Sequence, residues 1–191
     1  KGAEAAYVIA SSGARMLFTV SEFLGVSYPQ MLADQEIPSV ERIITLTGES
    51  DGCDTWSAFL ASGSGVSDAS VTARAAALTP DDTLDILFTS GTTGNPKGVV
   101  TCHGQNIRTF EIWSSTIGLR SDDNYLIISP FFHSFGYKAG WLAAILCGAR
   151  ILPVLNCDLD AVMAQIEKER VSMLPGPPTI YQSMLAHPRR K

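Results

Sequence analysis

The chain has 191 residues, of which 46% are hydrophobic and 17% charged, so it can bury a core and lacks the composition of a disordered segment. Its formal net charge of -5 argues against a surface that binds nucleic-acid phosphates, and we predict no nucleic-acid partner. The longest apolar run, residues 139 to 149, is far shorter than the roughly 20 residues of a membrane-spanning helix, so we predict no transmembrane segment.

The first part of the chain alternates short helical and extended patterns. Helices are predicted over EAAYVIASSG, ending at Gly13, and over YPQMLADQ, and strands are predicted over RMLFTV and VERIITLT. Ser62 to Ser70 consists almost entirely of Ser, Gly, Asp and Ala, which predicts a linker.

The second part repeats the alternation with longer elements. Strands are predicted over Thr83 to Phe88 and over GVVTC, NYLIIS, ARILPV and VSMLPG. Helices are predicted over Gln105 to Ile117, over residues 139 to 149, after a cap at Asp158, and from Pro178. This rhythm predicts an α/β fold of mostly parallel sheets with flanking helices.

The loop at residues 89 to 98, here called the phosphate loop, has the parts of a polyphosphate-binding site. Three glycines allow backbone N–H groups to approach an anion, four hydroxyls add donors, and Lys97 adds a mobile positive charge. The loop is not a Walker A motif, because Pro96 stands where that motif needs glycine, and no G-x-G-x-x-G pattern is present. Composition alone is equally compatible with a polar hairpin loop.

The spacing of the cysteines limits which metal sites and disulfides the chain can form. Cys53, Cys102, Cys147 and Cys157 form no C-x-x-C pair, and no histidine lies at metal-ligand spacing. We therefore predict free, buried thiols, no metal site made by this chain, and a cytoplasmic location.

Three ordered stretches resemble one family. ILFTSGTTGNPKG is similar, almost residue for residue, to the signature loop of the adenylate-forming enzymes, which include acyl-CoA synthetases, luciferases and peptide-synthetase adenylation domains. PFFHSFGYKAG resembles the aromatic-histidine segment of the same family, and ERVSMLPGPPTIYQSML resembles its passage behind the acyl pocket. The run from Tyr125 to Leu185 is most similar to actinobacterial fatty-acid-type CoA ligases, particularly those acting on the indane-dione propionate of steroid ring degradation.

The resemblance implies an ATP-dependent acid–thiol ligase of lipid metabolism, with Mg²⁺ assisting and coenzyme A as the acyl acceptor. A carboxylate attacks the α-phosphate of ATP, and a thiol then displaces AMP. By carry-over, the nucleotide-binding residues are Thr89, Ser90, Gly91, Thr92, Thr93, Gly94 and Lys97. The implied acyl-pocket residues are Phe132, His133, Phe135, Gly136, Gly176 and Pro177, with His133 also the candidate catalytic residue.

The resemblance also implies that the chain is a piece of a larger enzyme. By this resemblance, the 191 residues are expected to stop before the family's adenine-binding and ribose-binding residues. They are also expected to stop before the hinge and the small C-terminal domain with its catalytic lysine. Residues 1–120 are expected to form part of the first α/β subdomain, and residues 121–191 part of the second, lining the acyl pocket. We expect the missing C-terminal domain to be the partner of this piece, and the piece alone to be inactive.

Three other functions compete with the acyl-CoA ligase hypothesis. A non-catalytic nucleotide- or phosphate-binding module would keep the loop without the chemistry. A serine hydrolase lacks support, because no G-x-S-x-G elbow is present. Amino-acid adenylation is disfavoured, because FFHSFGYKAGWLAAILCGA offers apolar surface and no evident partner for an α-amino group.

Overall fold

A computed structural model describes residues 2–89 and 94–188. The chain divides into two compact units, Lys1–Thr101 and Cys102–Lys191. This division lies about 20 residues before the subdomain boundary predicted near residue 121, because the helix that follows the phosphate-loop strands packs with the second unit. The assignment of residues 1–120 and 121–191 to two subdomains of a parent enzyme stays a prediction.

The first unit contains short strands and helices in alternation. In chain order they are α1 (Gly2–Ser12), β1 (Met16–Thr19), β2 (Glu22–Phe23), β3 (Val26–Ser27), α2 (Tyr28–Leu32), β4 (Arg42–Thr45), β5 (Asp54–Thr55), α3 (Trp56–Ser62), α4 (Asp68–Ala76), β6 (Thr83–Thr89) and β7 (Lys97–Cys102). Strands β1, β4 and β5 form a parallel sheet, β2 pairs antiparallel with β3, and β6 pairs with β7.

The parallel sheet carries the core of the first unit. In this sheet Ile44 of β4 is fully buried, whereas Phe18, which lies opposite it in β1, is 43% exposed, and α1 and α2 contribute the buried residues Ile9 and Leu32. Helix α1 ends at Gly13, whose φ of 66° lies in the left-handed region that glycine adopts without steric cost. The helix predicted to end at Gly13 and the strand predicted over RMLFTV are therefore confirmed.

The predicted linker is wrong in its second half. Helix α3 runs to Ser62, and α4 begins at Asp68 after only a short turn. Ser67 caps α4, because its hydroxyl accepts a hydrogen bond from the Ser70 N–H at 3.2 Å, and Asp68 adds a negative charge to the first turn.

The second unit is built around two parallel strands. Its elements are α5 (His103–Ile117), β8 (Asn124–Ile127), a π-helical segment (Phe135–Leu142), α6 (Ala143–Cys147), β9 (Arg150–Pro153), α7 (Leu159–Glu169) and α8 (Pro178–Ala186). Strand β8 pairs in parallel with β9 and, on its other side, forms a single parallel bridge from Tyr125 to Met173. VSMLPG is thus a bridge-forming segment and not the full strand that we predicted.

Strand β8 separates two hydrophobic clusters, because successive side chains of a strand point to opposite faces. Tyr125 and Ile127 pack into the cluster that includes the alanines of α6. Leu126 and Ile128 pack into the other cluster, with Val162 of α7. The predicted cap of α7 is confirmed, since the Asp158 carboxylate accepts a hydrogen bond from the Ala161 N–H at 2.8 Å.

The predicted apolar helix at residues 139 to 149 begins earlier and changes type. It starts as the π-helical segment at Phe135, continues as α6, and ends at Gly148 with φ of 75°. Among the helices in the described ranges, none has the length and apolar character to cross a bilayer. The four cysteines are free as predicted, but none is fully buried, and Cys157 is exposed.

Candidate active site

The described residues of the phosphate loop lie where β6 and β7 meet. Thr89 ends β6 and Lys97 begins β7, and the Thr89 hydroxyl donates to the Lys97 carbonyl at 3.5 Å. Gly94 has φ of 93°, a backbone conformation that favours glycine. Ser90, Gly91, Thr92 and Thr93, also predicted to bind nucleotide, lie outside the described residues.

The two strands are held in register away from the loop. The Thr101 hydroxyl donates to the Asp85 carboxylate at 2.6 Å. At Gly98, a Cβ atom would lie 2.9 Å from Ile86 Cγ2, so glycine lets the side chains of β6 cross the neighbouring strand closely. The hairpin presents Thr89 and Lys97 together at its loop end, and both residues are exposed.

The aromatic-histidine segment follows β8 directly. Phe132 and His133 are exposed, and Phe132 is 86% exposed. His133 Nδ1 accepts a hydrogen bond from the Phe135 N–H at 3.2 Å, so the neutral ring carries its proton on Nε2. His133 therefore serves as an acceptor at the start of the π-helical segment, where backbone N–H groups lack helical partners.

Phe135 and Gly136 occupy the first turn of the π-helical segment. The Phe135 ring meets the Trp113 ring edge to face, with centroids 5.7 Å apart. Gly136 is buried, and a Cβ at this position would overlap the carbonyl oxygens of Ser129 and Pro130. Glycine is needed here because the segment lies directly against the chain that leaves β8.

Gly176 and Pro177 belong to the segment that passes beside β8. Since Met173 pairs in parallel with Tyr125, Gly176 and Pro177 leave the sheet at the same edge as Pro130 to His133. The carboxyl ends of parallel strands are the usual ligand-binding edge of an α/β sheet. The structure thus brings the predicted acyl-pocket residues to one edge of the second unit.

Two residues of this region escaped the sequence reasoning. The sequence places Trp113 in a predicted helix and Tyr125 in a predicted strand without indicating a further role, but both side chains donate hydrogen bonds to the Ala139 carbonyl. Burial, and secondarily the nearby Tyr181, raises the pKa of Tyr125 to about 12. A Trp or Tyr side chain that enters an apolar environment needs a hydrogen-bond partner for its polar atom. The presence of these two residue types in apolar elements is therefore the sequence signal that could have indicated these contacts.

A separate cleft of about 460 Å³ lies in the first unit, near the start of β4. Its charged walls are already paired, because Arg42 contacts Asp54 and Glu41 contacts Arg15, each at 2.8 Å. The Arg15 hydrogen bond lowers the pKa of Glu41, which keeps that carboxylate ionised. The cleft therefore offers no excess positive charge for a phosphate, and its described lining residues include none of the predicted site residues.

Over residues 2–89 and 94–188, no group of three or more His, Cys, Asp or Glu side chains is placed to hold a metal ion. Hard cations such as Mg²⁺ prefer oxygen ligands. Among the described residues of the phosphate loop, Thr89 carries a hydroxyl oxygen, which is the kind of ligand atom that such cations prefer.

Comparison with known proteins gives a consistent answer. The model of the AMP-binding enzyme family matches residues 1–191. A 3-[(3aS,4S,7aS)-7a-methyl-1,5-dioxo-octahydro-1H-inden-4-yl]propanoyl:CoA ligase of Mycobacterium tuberculosis is 45% identical over 98% of this chain and 37% of its own length. A ligase of the same name from Rhodococcus jostii is 41% identical over 98% of this chain and 38% of its own length.

Solved structures show the same fold. The anthranilate CoA ligase AuaEII, in complex with anthranoyl-AMP, has a TM-score of 0.80 at 23% identity, covering 98% of this chain and 35% of that one. The N-terminal domain of FACL13 from Mycobacterium tuberculosis has a TM-score of 0.72 at 21% identity, covering 97% of this chain and 43% of that one. The predicted α/β fold is confirmed, and the chain spans little more than a third of the length of the two ligases it matches by sequence.

Proposed function

Because the chain belongs to the AMP-binding enzyme family, we propose that the protein containing it is an AMP-forming acyl-CoA ligase. ATP, a carboxylic acid and coenzyme A are its proposed substrates. A carboxylate oxygen attacks the α-phosphorus of ATP, the bond to the bridging oxygen breaks, and pyrophosphate leaves. The thiol of coenzyme A then attacks the acyl carbon and displaces AMP.

One observation carries this proposal: Thr89 and Lys97, on either side of the central residues of the phosphate loop, lie together at the end of a hairpin. Pyrophosphate is a good leaving group only when its developing charge is stabilised by groups already in place. The Lys97 ammonium, the hydroxyls of the loop and backbone N–H groups around glycine can supply that stabilisation. Mg²⁺ is proposed to arrive with ATP and to share this neutralisation, and the oxygen-rich loop fits such an ion.

The acid is proposed to bind at the carboxyl edge of the second unit, near His133, Phe135 and Gly176. Two relatives of more than 40% identity are named as ligases of a propanoate attached to a dioxo-octahydroindene ring. We therefore propose a propanoate borne by a fused alicyclic ketone as the substrate class, in steroid degradation. Apolar side chains such as Phe132, 86% exposed after β8, are suited to such rings.

The remainder of the reaction centre is proposed to lie outside residues 1–191. Relatives are nearly three times longer than the stretch that this chain matches. We propose that a C-terminal domain of the same protein supplies the catalytic lysine, that further residues bind adenine and ribose, and that the 191 residues alone are inactive. The four free thiols support the cytoplasm as the proposed compartment.

Pyrophosphate release by the full-length protein, with ATP, Mg²⁺ and a panel of carboxylic acids, tests this function. We expect release with the fused-ring propanoate and coenzyme A-dependent formation of its thioester. Lys97→Ala should lower kcat about 100-fold, as loss of one charge-stabilising donor does elsewhere, with little change in the KM for the acid.

Lys168→Ala is the matched control, because Lys168 is an 82% exposed lysine on α7 that contacts Glu169 at 3.8 Å. This variant should retain the unsubstituted rate within about twofold. Full activity of Lys97→Ala would refute the role of the phosphate loop. ATP binding without pyrophosphate release, over the whole panel, would instead favour a non-catalytic nucleotide-binding module.

A further inference from the structure

The carbonyl of Ala139 occupies an unusual position in the π-helical segment. In an α-helix, the N–H of residue 143 would donate to the carbonyl of residue 139. Here the Ala143 N–H donates to the carbonyls of Lys138 and Gly140, on either side of Ala139. The Ala143 N–H is therefore not the donor to the Ala139 oxygen, as it would be in an α-helix.

Two side chains from different elements donate hydrogen bonds to the Ala139 oxygen. The Trp113 indole N–H, from α5, donates to the Ala139 oxygen at 3.2 Å, and the Tyr125 hydroxyl, from β8, donates at 2.9 Å. Tyr125 is only 1% exposed, so water cannot easily replace the carbonyl as its partner. Two donors match the two lone pairs of one carbonyl oxygen.

This arrangement is connected to the candidate acyl pocket. Trp113 contacts Phe135 through its ring while its N–H binds the Ala139 carbonyl, so one side chain touches the segment at two points. His133 accepts from the Phe135 N–H and is thus attached to the same turn. A one-residue return to α-helical hydrogen bonding would rotate this turn by roughly 100° relative to α6, the angle per residue of an α-helix.

We propose that Trp113 and Tyr125 are positioning residues of the acyl pocket, which hold Phe135–Leu142 in its π-helical form through the Ala139 carbonyl and so set where Phe135 and His133 lie. Neither residue contacts a reacting atom, and each acts through the segment. The pocket part of this inference rests on the proposed ligase function, whereas the hold on the π-helix does not.

The test uses Tyr125→Phe and Trp113→Phe in the full-length protein. Each variant removes one donor to Ala139 and retains an aromatic ring, and Trp113→Phe also retains a ring beside Phe135. Thr116→Val is the matched control, because it removes a side-chain hydrogen bond to a carbonyl on the same helix, 2.8 Å to Ile112, away from the π-helical segment. A combined variant tests whether the two donors act on one acceptor.

Hydrogen exchange of amides over residues 135–147 is the first measurement. Loss of one net hydrogen bond should accelerate exchange there by roughly 3- to 10-fold in each variant. Exchange over residues 159–169 of α7 is the internal reference, and its rate should change less than the rate over residues 135–147. In the control variant Thr116→Val, the exchange rates of both segments should change less than in the two test variants. Equal acceleration in both segments, or none in residues 135–147, would overturn the hold on the π-helix.

Steady-state kinetics of pyrophosphate release is the second measurement. We expect the KM for the fused-ring acid to rise roughly fivefold, with kcat and the KM for ATP within about twofold, because misplacement weakens acid binding. A purely structural loss would lower kcat through fewer active molecules and leave KM unchanged, which would overturn the pocket role. If the unsubstituted protein releases no pyrophosphate, the ligase function fails, while hydrogen exchange still decides the hold on the π-helix.

Discussion

The imidazole ring of His133 makes a structural hydrogen bond through Nδ1 and is also the candidate catalytic group of the site. Its Nδ1 accepts from the Phe135 N–H at 3.2 Å, and the residue is exposed at the edge where the acid is proposed to bind. Asparagine can place its amide oxygen near the position of Nδ1, whereas alanine cannot accept at all. Substitutions can therefore separate the contact from any chemistry at Nε2.

We expect His133→Ala to raise the KM for the acid about fivefold, which corresponds to one net hydrogen bond of about 1 kcal/mol. His133→Asn should retain the contact and stay within about twofold of the unsubstituted KM. Kinetics of pyrophosphate release on the full-length protein measures both. An Asn variant as impaired as the Ala variant would assign the contribution to Nε2 instead of to the bond with Phe135.

At the scale of elements, local signals predicted most of the structure. Helix α1 with its end at Gly13, and α7 with its cap at Asp158, follow from side chains within a few positions of each boundary. Helix α4 was missed because the Ser and Gly content of residues 62 to 70 indicated a linker, although Ser67 was a usable cap signal.

Two further elements differ from the sequence prediction, one because of non-local contacts and one because of a single proline. The π-helical form depends on donors to Ala139 from Tyr125 and Trp113, which lie 14 and 26 positions away, beyond any periodicity argument. The expected strand at VSMLPG pairs only at Met173, since Pro175 has no N–H to continue a ladder. For the candidate site, the sequence indicates residues whose roles stay a prediction, and it does not indicate the hydrogen bonds that position them.

The close approach of the π-helical segment to the end of β8 gives a prediction about stability. Gly136→Ala would force a Cβ against the carbonyl oxygens of Ser129 and Pro130, and the Pro130 carbonyl also accepts from the His133 N–H at 3.0 Å. We expect the free energy of unfolding to fall by about 1–3 kcal/mol, the usual cost of overpacking. Denaturant unfolding of the full-length protein measures it.

Gly65→Ala is the matched control, because a Cβ there meets no atom of the described residues within 4 Å and the position is exposed. Its unfolding free energy should stay within about 0.5 kcal/mol of the original. Equal stability of Gly136→Ala and the unsubstituted protein would mean that the segment can move away from β8 without cost. The glycine would then have no packing role.

At the scale of the whole molecule, burial is distributed unevenly along the chain. In β8, Tyr125, Leu126 and Ile127 are each at most 3% exposed and lie between two hydrophobic clusters. All residues of α4 are exposed, including Val71 at 58%. Local opening costs least where few apolar contacts must be broken, so the two elements should differ in stability.

We therefore expect amide hydrogen exchange in the full-length protein to be at least about 100-fold slower in β8 than in α4, a difference of about 2.7 kcal/mol in opening free energy. Leu126→Ala should cost about 2–5 kcal/mol and Val71→Ala less than about 0.5 kcal/mol. Similar protection of the two elements would contradict this ranking. It would mean that a part of the protein outside residues 1–191 covers α4, and Val71→Ala would then become costly as well.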